Sequence, residues 1–528
     1  MHTAPTPLPR KRLPIGIQTF REIREDNCYY VDKTGIAVDL VQTGKYYFLS
    51  RPRRFGKSLF LDTLKELFEG NRALFEGLAA ESRWDWSKKF PVVFINFGDG
   101  VLRSRVELDQ RIRHILRVNR EALGLHLPAD LPETDIAGNF GDLLRDAHAK
   151  AGQRVVVLVD EYDKPILDNI TDSAAALEMR QGLKNLYSVI KGSDAHIKFA
   201  FLTGVSKFSK VSIFSDLNNL TDITLHQRYG TICGYTDADI DTVFAPELPG
   251  LDRAEIRRWY NGYHWLGESV YNPFDVLLLF DSRSFRPYWF ETGTPTFLVR
   301  LLTERGFFTP DLAHQQTSLE LLSTFDVEAI TSEGLLWQTG YLTVTHAHEL
   351  LPGIWVYTLG YPNHEVQTSL NTALLSGMGL DAQRTFTQRL RLPALLRAAD
   401  MTGLRTHCEV LFASIPHQWQ TNNPIAQYEG YYASIFYSHF AALGLDIRLE
   451  DTTNHGRIDM AVLFDGHVFL FEFKVVELVP QGKALQQLKD KGYAEKYRGR
   501  GEPVHLIGVE FSKDTRNVVG FEVEMLSN

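Results

Sequence analysis

The chain has 528 residues, 44% of them hydrophobic, 12% aromatic and 23% charged, with a formal net charge of −9. That length exceeds what one hydrophobic core can serve and predicts two to four domains. The acidic balance excludes a generally basic nucleic-acid coat, so any nucleic-acid contact has to come from a local patch. Cys28, Cys233 and Cys408 lie far apart without paired spacing, which speaks for reduced thiols in a cytosolic protein and against a disulfide frame or a zinc site. The opening MHTAPTPLPRKRLPIG has no apolar run of the signal-peptide kind, and no stretch approaches ~18 uninterrupted apolar residues. The expectation is a cytoplasmic protein that makes no membrane contact.

From about residue 40, short apolar runs alternate with helical segments. KYYFLS reads as a buried strand and KSLFLDTLKELFEG as an amphipathic helix. PVVFINF is a second strand, followed by the helical SRVELDQRIRHILRVNREALGL; RVVVLVDE and HIKFAFLTG are two more. Continuous apolar strands separated by helices predict a parallel sheet covered on both faces, an α/β fold. That pattern ends near Thr231. From Cys233 to about Ser376 the chain reads as helical and aromatic, with turns at NGYHW, YNPFD and GYPNHE. A third region begins with helices near Gln383 and becomes strands from Leu445, with a final helix. The predicted division is 1–231, 232–380 and 381–528.

SRPRRFGKSLF joins the first strand, ending at Ser50, to the helix beginning near Lys57. Arg54, Phe55, Gly56, Lys57 and Ser58 form the tail of a phosphate-binding loop. Backbone N–H groups at the helix start would cradle phosphates, Lys57 would reach the β and γ phosphates, and Ser58 would hold Mg²⁺. The general pattern places a glycine where this chain has Arg51. Downstream, VVVLVDEYDK ends a strand in Asp160 and Glu161. Asp160 would bind the magnesium through water and Glu161 would polarise the attacking water; a helix cap is the alternative for Asp160. Thr203 and Ser206, at the end of the HIKFAFLTG strand, are placed to sense the γ-phosphate.

LPIGIQTFREIREDNCYYVDKT, YYFLSRPRRFGKSLFLDTLKELFEG and VVVLVDEYDKPI together resemble the AAA-ATPase-like family of bacteria. The glycine-poor SRPRRFGKS loop is itself a mark of that family, and the module is similar to archaeal-type and signal-transducing P-loop ATPases. The resemblance implies ATP as ligand and places Tyr30, Val31, Asp32, Lys33 and Thr34 near the nucleotide. It extends through LLWQTGYLTV and LGYPNHEV, where it implies a helical lid and a winged-helix-like unit.

RIDMAVLF and HVFLFEFK both alternate, and Asp465-Gly466 between them is a two-residue hairpin signal. Pairing Phe464 with His467 and stepping outward sets Asp459 opposite Glu472, with Cβ atoms about 4.5–5.5 Å apart. Lys474 shares their face, while Phe471, Phe473 and Val475 take the other. Two opposed carboxylates repel. They either share a proton or hold a divalent cation, and a neighbouring lysine suits an anionic substrate. The following GKALQQLKDKGYAEKYRGRG is a helix with six Lys/Arg between Lys483 and Arg500 against Asp490 and Glu495, a local excess that would hold a phosphate backbone.

A helix, this hairpin and a second helix with Gln in ALQQLKDKGY look like the PD-(D/E)XK nuclease superfamily, similar to the nuclease-like domain that follows the AAA-ATPase-like module. The resemblance implies metal and catalytic roles for Asp459, Glu472 and Lys474, and supporting roles for Glu429, Gln487 and Tyr493. The expected protein is thus a P-loop ATPase, with a helical, winged-helix-like middle, that controls a Mg²⁺- or Mn²⁺-dependent nuclease. Its expected partner is nucleic acid, DNA foremost, with a homo-oligomer as an open arrangement and defence against foreign DNA as the implied setting. The alternative is an ATP-switched nucleic-acid-binding regulator that does not cut.

Overall fold

The apolar runs in the N-terminal part of the chain become strands: β1 (Tyr46–Ser50), β2 (Val92–Asn96), β3 (Val155–Asp160) and β4 (Ile197–Gly204). The computed structural model describes residues 9–126, 135–207, 219–292, 298–299, 301–302, 305, 307–323, 331–378, 380–414, 429–453, 456–492 and 494–526. By internal packing the chain divides into two units, Met1–Thr292 with Gln316–Asn363, and Gly293–Gln315 with His364–Asn528.

The first sheet is parallel throughout, in the order β2-β3-β4-β1-β5, where β5 is the short Thr221–Asp222. β1, largely aromatic, and β3, rich in valine, are buried along their whole length, as strands of a sheet dry on both faces must be. β4 lies between β1 and β3, so all three end on one edge, where α/β sheets place their ligands. The helix α1 (Lys57–Phe68) buries Phe60, Leu61, Leu64, Leu67 and Phe68, one apolar stripe at helical spacing. α2 (Arg105–Ala122) begins where Ser104 caps the Glu107 N–H and turns Leu108, Ile112 and Leu116 inward. α3 (Ile136–Ala151) ends at Gly152, whose φ of 62° supplies the left-handed cap. α4 (Ser173–Gly192) is capped by Asp172.

Three further helices follow: α5 (Asp237–Thr242), opened by a Thr236–Asp239 capping box, α6 (Arg253–Tyr260), and α7 (Pro273–Ser282), with Pro273 at its first turn. Ile240, Phe244, Ile256 and Val276 pack there with Tyr29 and Val31, so the segment before β1 is part of this helical core. Next come β6 (Gln315–Ser318), α8 (Ser332–Thr339), β7 (Thr343–Leu351) and β8 (Ile354–Gly360), whose strands form a small sheet in the order β6-β8-β7. The sequence reading of this region as helical and aromatic missed that hairpin. β7 is buried at its start and exposed at its end, so burial fades along the strand and the period of two is lost.

The second unit opens with α9 (His364–Gly377), α10 (Ala382–Arg397), α11 (Met401–Ala413) and α12 (Glu429–Ala441). It continues with β9 (Asp446–Thr453), β10 (Gly456–Phe464), β11 (His467–Val476), α13 (Lys483–Asp490), β12 (Val504–Ser512) and β13 (Val518–Leu526). The sheet order is β13-β12-β11-β10-β9, with β11 and β12 parallel and the other pairs antiparallel. Asp465 and Gly466 both take positive φ, 49° and 79°, as a type I′ turn requires. Pairing then runs from Phe464–His467 to Met460–Phe471, the register read from the sequence. Phe471 and Phe473 face α12, their rings 5.1 and 4.9 Å from Phe436. On the other face, Ala484 and Leu488 of α13 close over Leu470 and Leu506. Among the described residues, no helix is long and apolar enough to cross a membrane.

One backbone position tests the packing of the first unit. Gly262 has φ of 120°, and a Cβ placed there would lie 1.8 Å from the Pro362 carbonyl oxygen. Gly262→Ala should therefore cost roughly 2 kcal/mol or more and lower the thermal unfolding midpoint by several degrees. A midpoint equal to wild type in differential scanning calorimetry would show that this approach is not tight.

Candidate functional site

At the end of β1 the chain turns through a loop held by one arginine. Arg51 is buried: its guanidinium donates to the Ser50 and Thr224 carbonyls (2.9 Å each) and to that of Tyr229 (3.2 Å), and stacks 4.1 Å over the Trp265 ring. Burial lowers its pKa to about 10. Thus the residue that departs from the general loop pattern is an anchor, supplying through its side chain the restraint that backbone geometry supplies elsewhere. Farther along, Arg54 and Gly56 adopt φ of 69° and 91°, and α1 starts immediately after. Arg53 and Arg54 are exposed, whereas Phe55 is buried 4.7 and 5.4 Å from the Tyr263 and Trp265 rings.

The Lys57 ammonium is buried and donates to the carbonyls of Arg51 and Pro52, 2.9 Å each, closing the loop on itself. Burial pushes it below the usual lysine range, opposed by the Asp160 carboxylate. Ser58 is half-buried in the first turn of α1. A cavity of about 70 Å³ lies beside Gly56, bounded by Tyr30, Phe55, Leu59, Ile232, Cys233 and Tyr235. Tyr30 and Lys33 thus reach the loop's surroundings. Asp32 instead accepts from the N–H groups of Thr34 and Ala79, 2.8 and 2.7 Å, and ties its own segment down.

Asp160 is buried at the end of β3, where its Oδ1 accepts from the Thr203 hydroxyl (2.8 Å) and from the Glu161 N–H (3.0 Å). Glu161 has φ of 50°, the left-handed region that a non-glycine residue enters only under constraint. Burial, then the Asp160 charge, push its carboxyl above the ordinary glutamate range, and Lys57 opposes the shift. Gly98 lies at this spot: a Cβ there would be 2.9 Å from Asn96 Oδ1 and 3.4 Å from Glu161 Oε2. Asn96 sits across from Asp160 in the strand register. The sequence reading did not single out Asn96 or Gly98; a polar residue ending the PVVFINF strand was the available signal. The Ser206 hydroxyl donates to buried Asp163, so both predicted phosphate sensors, Thr203 and Ser206, bond to carboxylates of the β3 turn.

In the second unit the paired register ends at Met460–Phe471, one step before Asp459 and Glu472, and the Phe473 N–H donates to Asp459 Oδ2 (2.9 Å). Glu472 is fully buried, with 0% exposure, so it is not an ordinary solvated charge. Its Oε1 accepts from the Gln487 side-chain amide of α13 and lies 3.8 Å from the Lys474 ammonium. Glu472, Lys474 and Gln487 are therefore brought together, and Asp459 is held on the N–H of Phe473, the residue between Glu472 and Lys474. Tyr493 and the side chain of Glu429 lie outside the described residues. Among the described residues no three His, Cys, Asp or Glu side chains cluster as a metal site. The donors are two carboxylates, hard oxygen ligands that suit Mg²⁺ or Mn²⁺ rather than a soft metal. The basic stretch is not the single helix expected, since α13 ends at Asp490, and it is less free than its composition implies: Lys489 pairs with Glu524 (2.7 Å) and Arg500 with Glu502 (2.6 Å), acids outside the stretch counted in the sequence.

A parallel sheet whose glycine-poor loop presents a buried lysine near a strand-end Asp-Glu pair, joined to a sheet bearing a buried carboxylate beside a lysine, defines a P-loop ATPase module with a nuclease-type domain. Residues 14–214 match the AAA-ATPase-like model, described as a predicted AAA-ATPase, and residues 427–521 match the PD-(D/E)XK nuclease superfamily. The chain is also 62% identical over 520 residues, 98% of its length and 99% of the relative's, to the "Uncharacterized protein in vnfD 5'region" of Azotobacter chroococcum mcd 1. The chain belongs to the AAA-ATPase-like family and carries a C-terminal PD-(D/E)XK nuclease superfamily domain.

Removing the Arg51 anchor tests the loop. Arg51→Ala removes its hydrogen bonds to the Ser50, Thr224 and Tyr229 carbonyls, the last of which keeps the Ile232 N–H, and bares the Trp265 face, an expected loss of roughly 2–4 kcal/mol. Both the unfolding midpoint and ATP affinity should fall. Wild-type affinity in a fluorescent-nucleotide titration would show that the anchor does not shape the loop.

Proposed function

We propose that the first unit binds and hydrolyses ATP and that the second cuts nucleic acid, DNA foremost, in a metal-dependent reaction. The observation that carries the second half is Glu472, a fully buried carboxylate touched by both Lys474 and Gln487, with Asp459 held on the N–H of Phe473. A carboxylate removed from water is costly unless a cation meets it, and Asp459 beside it doubles that demand.

At the nucleotide site, Lys57 would leave the Arg51 and Pro52 carbonyls for the β and γ phosphates, and N–H groups at the start of α1 would receive phosphate oxygens. Ser58 and Asp160 would hold Mg²⁺, and the cavity beside Gly56 fits the edge of a base. Glu161, its proton affinity raised by burial, would take the proton of the attacking water. At the second site, Asp459 and Glu472 would hold Mg²⁺ or Mn²⁺, which when bound polarises the phosphate and lowers the pKa of water. Lys474 would stabilise the charge developing on the phosphate, and Gln487 would keep Glu472 in one orientation. Defence against foreign DNA is the setting that the joining of an ATP switch to a nuclease suggests.

For the ATPase half, Glu161→Gln should retain ATP binding and lose hydrolysis. The wild-type rate should fall on the acid side with a midpoint above the ordinary glutamate value of about 4.3, because the base must be deprotonated and its carboxyl is shifted upward. A variant that hydrolyses normally would remove Glu161 from the mechanism.

For the nuclease half, purified protein is incubated with plasmid, linear and single-stranded substrates, with and without ATP and Mg²⁺. Cutting should require the metal and should drop by about two orders of magnitude or more in Glu472→Ala and Lys474→Ala. Lys57→Ala should abolish ATP binding and alter cutting, although Lys57 lies in the other unit. Mn²⁺ binding without cutting of any substrate would favour an ATP-switched binding regulator. Cutting by Lys57→Ala at the wild-type rate would sink the gating idea alone.

A further inference from the structure

Glu510 is a buried carboxylate one strand away from the proposed nuclease site. It stands on β12, whose parallel register with β11 sets Gly508 beside Glu472 and Glu510 beside Lys474. Its composition and burial are those of a third catalytic carboxylate. Its contacts differ. Glu510 Oε2 accepts from the Gln481 N–H (2.5 Å), and Oε1 from those of Lys483 (2.7 Å) and Ala484 (3.4 Å). The Lys483 and Ala484 N–H groups are donors that a helix start leaves without intrahelical partners, and Gln481 precedes the N-cap. The N-cap residue itself is Gly482, which has no side chain to offer, so the cap of α13 comes from the neighbouring sheet.

Gly508 makes this arrangement sterically feasible. A Cβ there would lie 2.3 Å from the Leu485 nitrogen and 2.8 Å from its Cα, so the first turn of α13 rests on bare backbone. At its other end α13 is held by the Lys489–Glu524 pair, and its apolar face by Ala484 and Leu488 in the core. Gln487, three residues beyond Ala484, falls close to the same side of the helix and reaches Glu472. A small displacement of this first turn carries the amide of Gln487 off the carboxylate.

We propose that Glu510, seated over Gly508, is a positioning residue that caps α13 from β12 and thereby fixes Gln487 against Glu472. The catalytic consequence rests on the nuclease reading above; the effect on the helix does not. Glu510 touches neither of the proposed metal ligands in this role, and its charge favours the positive end of the helix.

The test uses the full-length chain in two measurements. In hydrogen–deuterium exchange, peptides covering 483–490 should exchange at least about tenfold faster in Glu510→Ala and Gly508→Ala, with the first unit unchanged. Glu510→Gln, whose amide oxygen can still accept from Lys483 and Ala484 while its NH2 loses the Gln481 N–H, should fall between wild type and Glu510→Ala. In cleavage assays, Glu510→Ala, Gly508→Ala and Gln487→Ala should each lower kcat by about 10–100-fold with KM within twofold, as outer-shell changes do. The Glu510→Ala/Gln487→Ala double variant should lose no more than either single, since both act through one contact. Glu510→Gln as inactive as Glu472→Ala would make Glu510 a metal ligand and overturn the proposal, and so would multiplicative losses in the double variant. If the wild type cuts nothing, the nuclease reading fails; exchange then decides alone, and unchanged protection of 483–490 in Glu510→Ala overturns the cap.

Discussion

A charge taken out of water has to be met by another charge, by hydrogen bonds or by a ligand, and that cost organises both sites of this chain. Arg51 is met by three carbonyls and an indole ring, Lys57 by two carbonyls, Asp160 by a hydroxyl and an N–H, and Asp163 by the Ser206 hydroxyl. Glu510 is met by the Lys483 and Ala484 N–H groups of a helix start and by the Gln481 N–H just before it. These arrangements are local satisfactions among neutral dipoles or single hydrogen bonds. Lys57 differs from Arg51 in one respect. Carbonyl dipoles are weaker partners for an ammonium than phosphate oxygens, so a phosphate can displace them, whereas nothing smaller than refolding replaces the Arg51 set.

Elements whose signal is local were legible before any coordinates. The four main strands of the first sheet are unbroken apolar runs, and the Asp465-Gly466 turn fixes a register in which one residue's slip would exchange faces. The observed pairing keeps that register as far as Met460–Phe471, and Asp459 then accepts from the Phe473 N–H between Glu472 and Lys474. Contacts between residues distant in sequence were not legible. The partners of Arg51 lie at Thr224, Tyr229 and Trp265, far along the chain, and the composition of RPRRFGKS gives no hint of them. Glu510 reads as one acid in an apolar strand. The pairing of Lys489 with Glu524 and of Arg500 with Glu502 likewise turns an apparent basic patch into partly neutralised pairs. Charge counted in a sequence window is thus an upper limit on the field that a ligand meets.

Within the first unit, the phosphate loop is also in contact with residues far along the chain, Trp289 and Gly340. The Arg53 carbonyl accepts from the Trp289 indole N–H (3.1 Å), and a Cβ on Gly340 would lie 2.7 Å from Pro52. Gln338 of α8 accepts from the Lys207 N–H (2.8 Å), and the Lys207 ammonium pairs with Asp222 of β5 (2.6 Å). The loop and the end of β4 are therefore both tied to the turn that carries Gln338 and Gly340. A close-packed contact of this kind does not deform smoothly; it holds or it gives way.

That property bounds what a nucleotide can do here. Ligand binding shifts an equilibrium only by its difference in affinity for the two arrangements, so a hundredfold bias needs about 2.7 kcal/mol. On the proposed reading, moving Lys57 from carbonyls to phosphate would release the Arg51 and Pro52 carbonyls. Pro52 is the residue against which Gly340 has no room for a Cβ, and Arg51 is clamped and cannot follow. Any shift of Pro52 must then be accommodated at the Gln338–Gly340 turn rather than spread along β1. The arginine that replaces glycine in the loop thus concentrates the effect of nucleotide on one side of the site, which a uniformly flexible loop would dissipate.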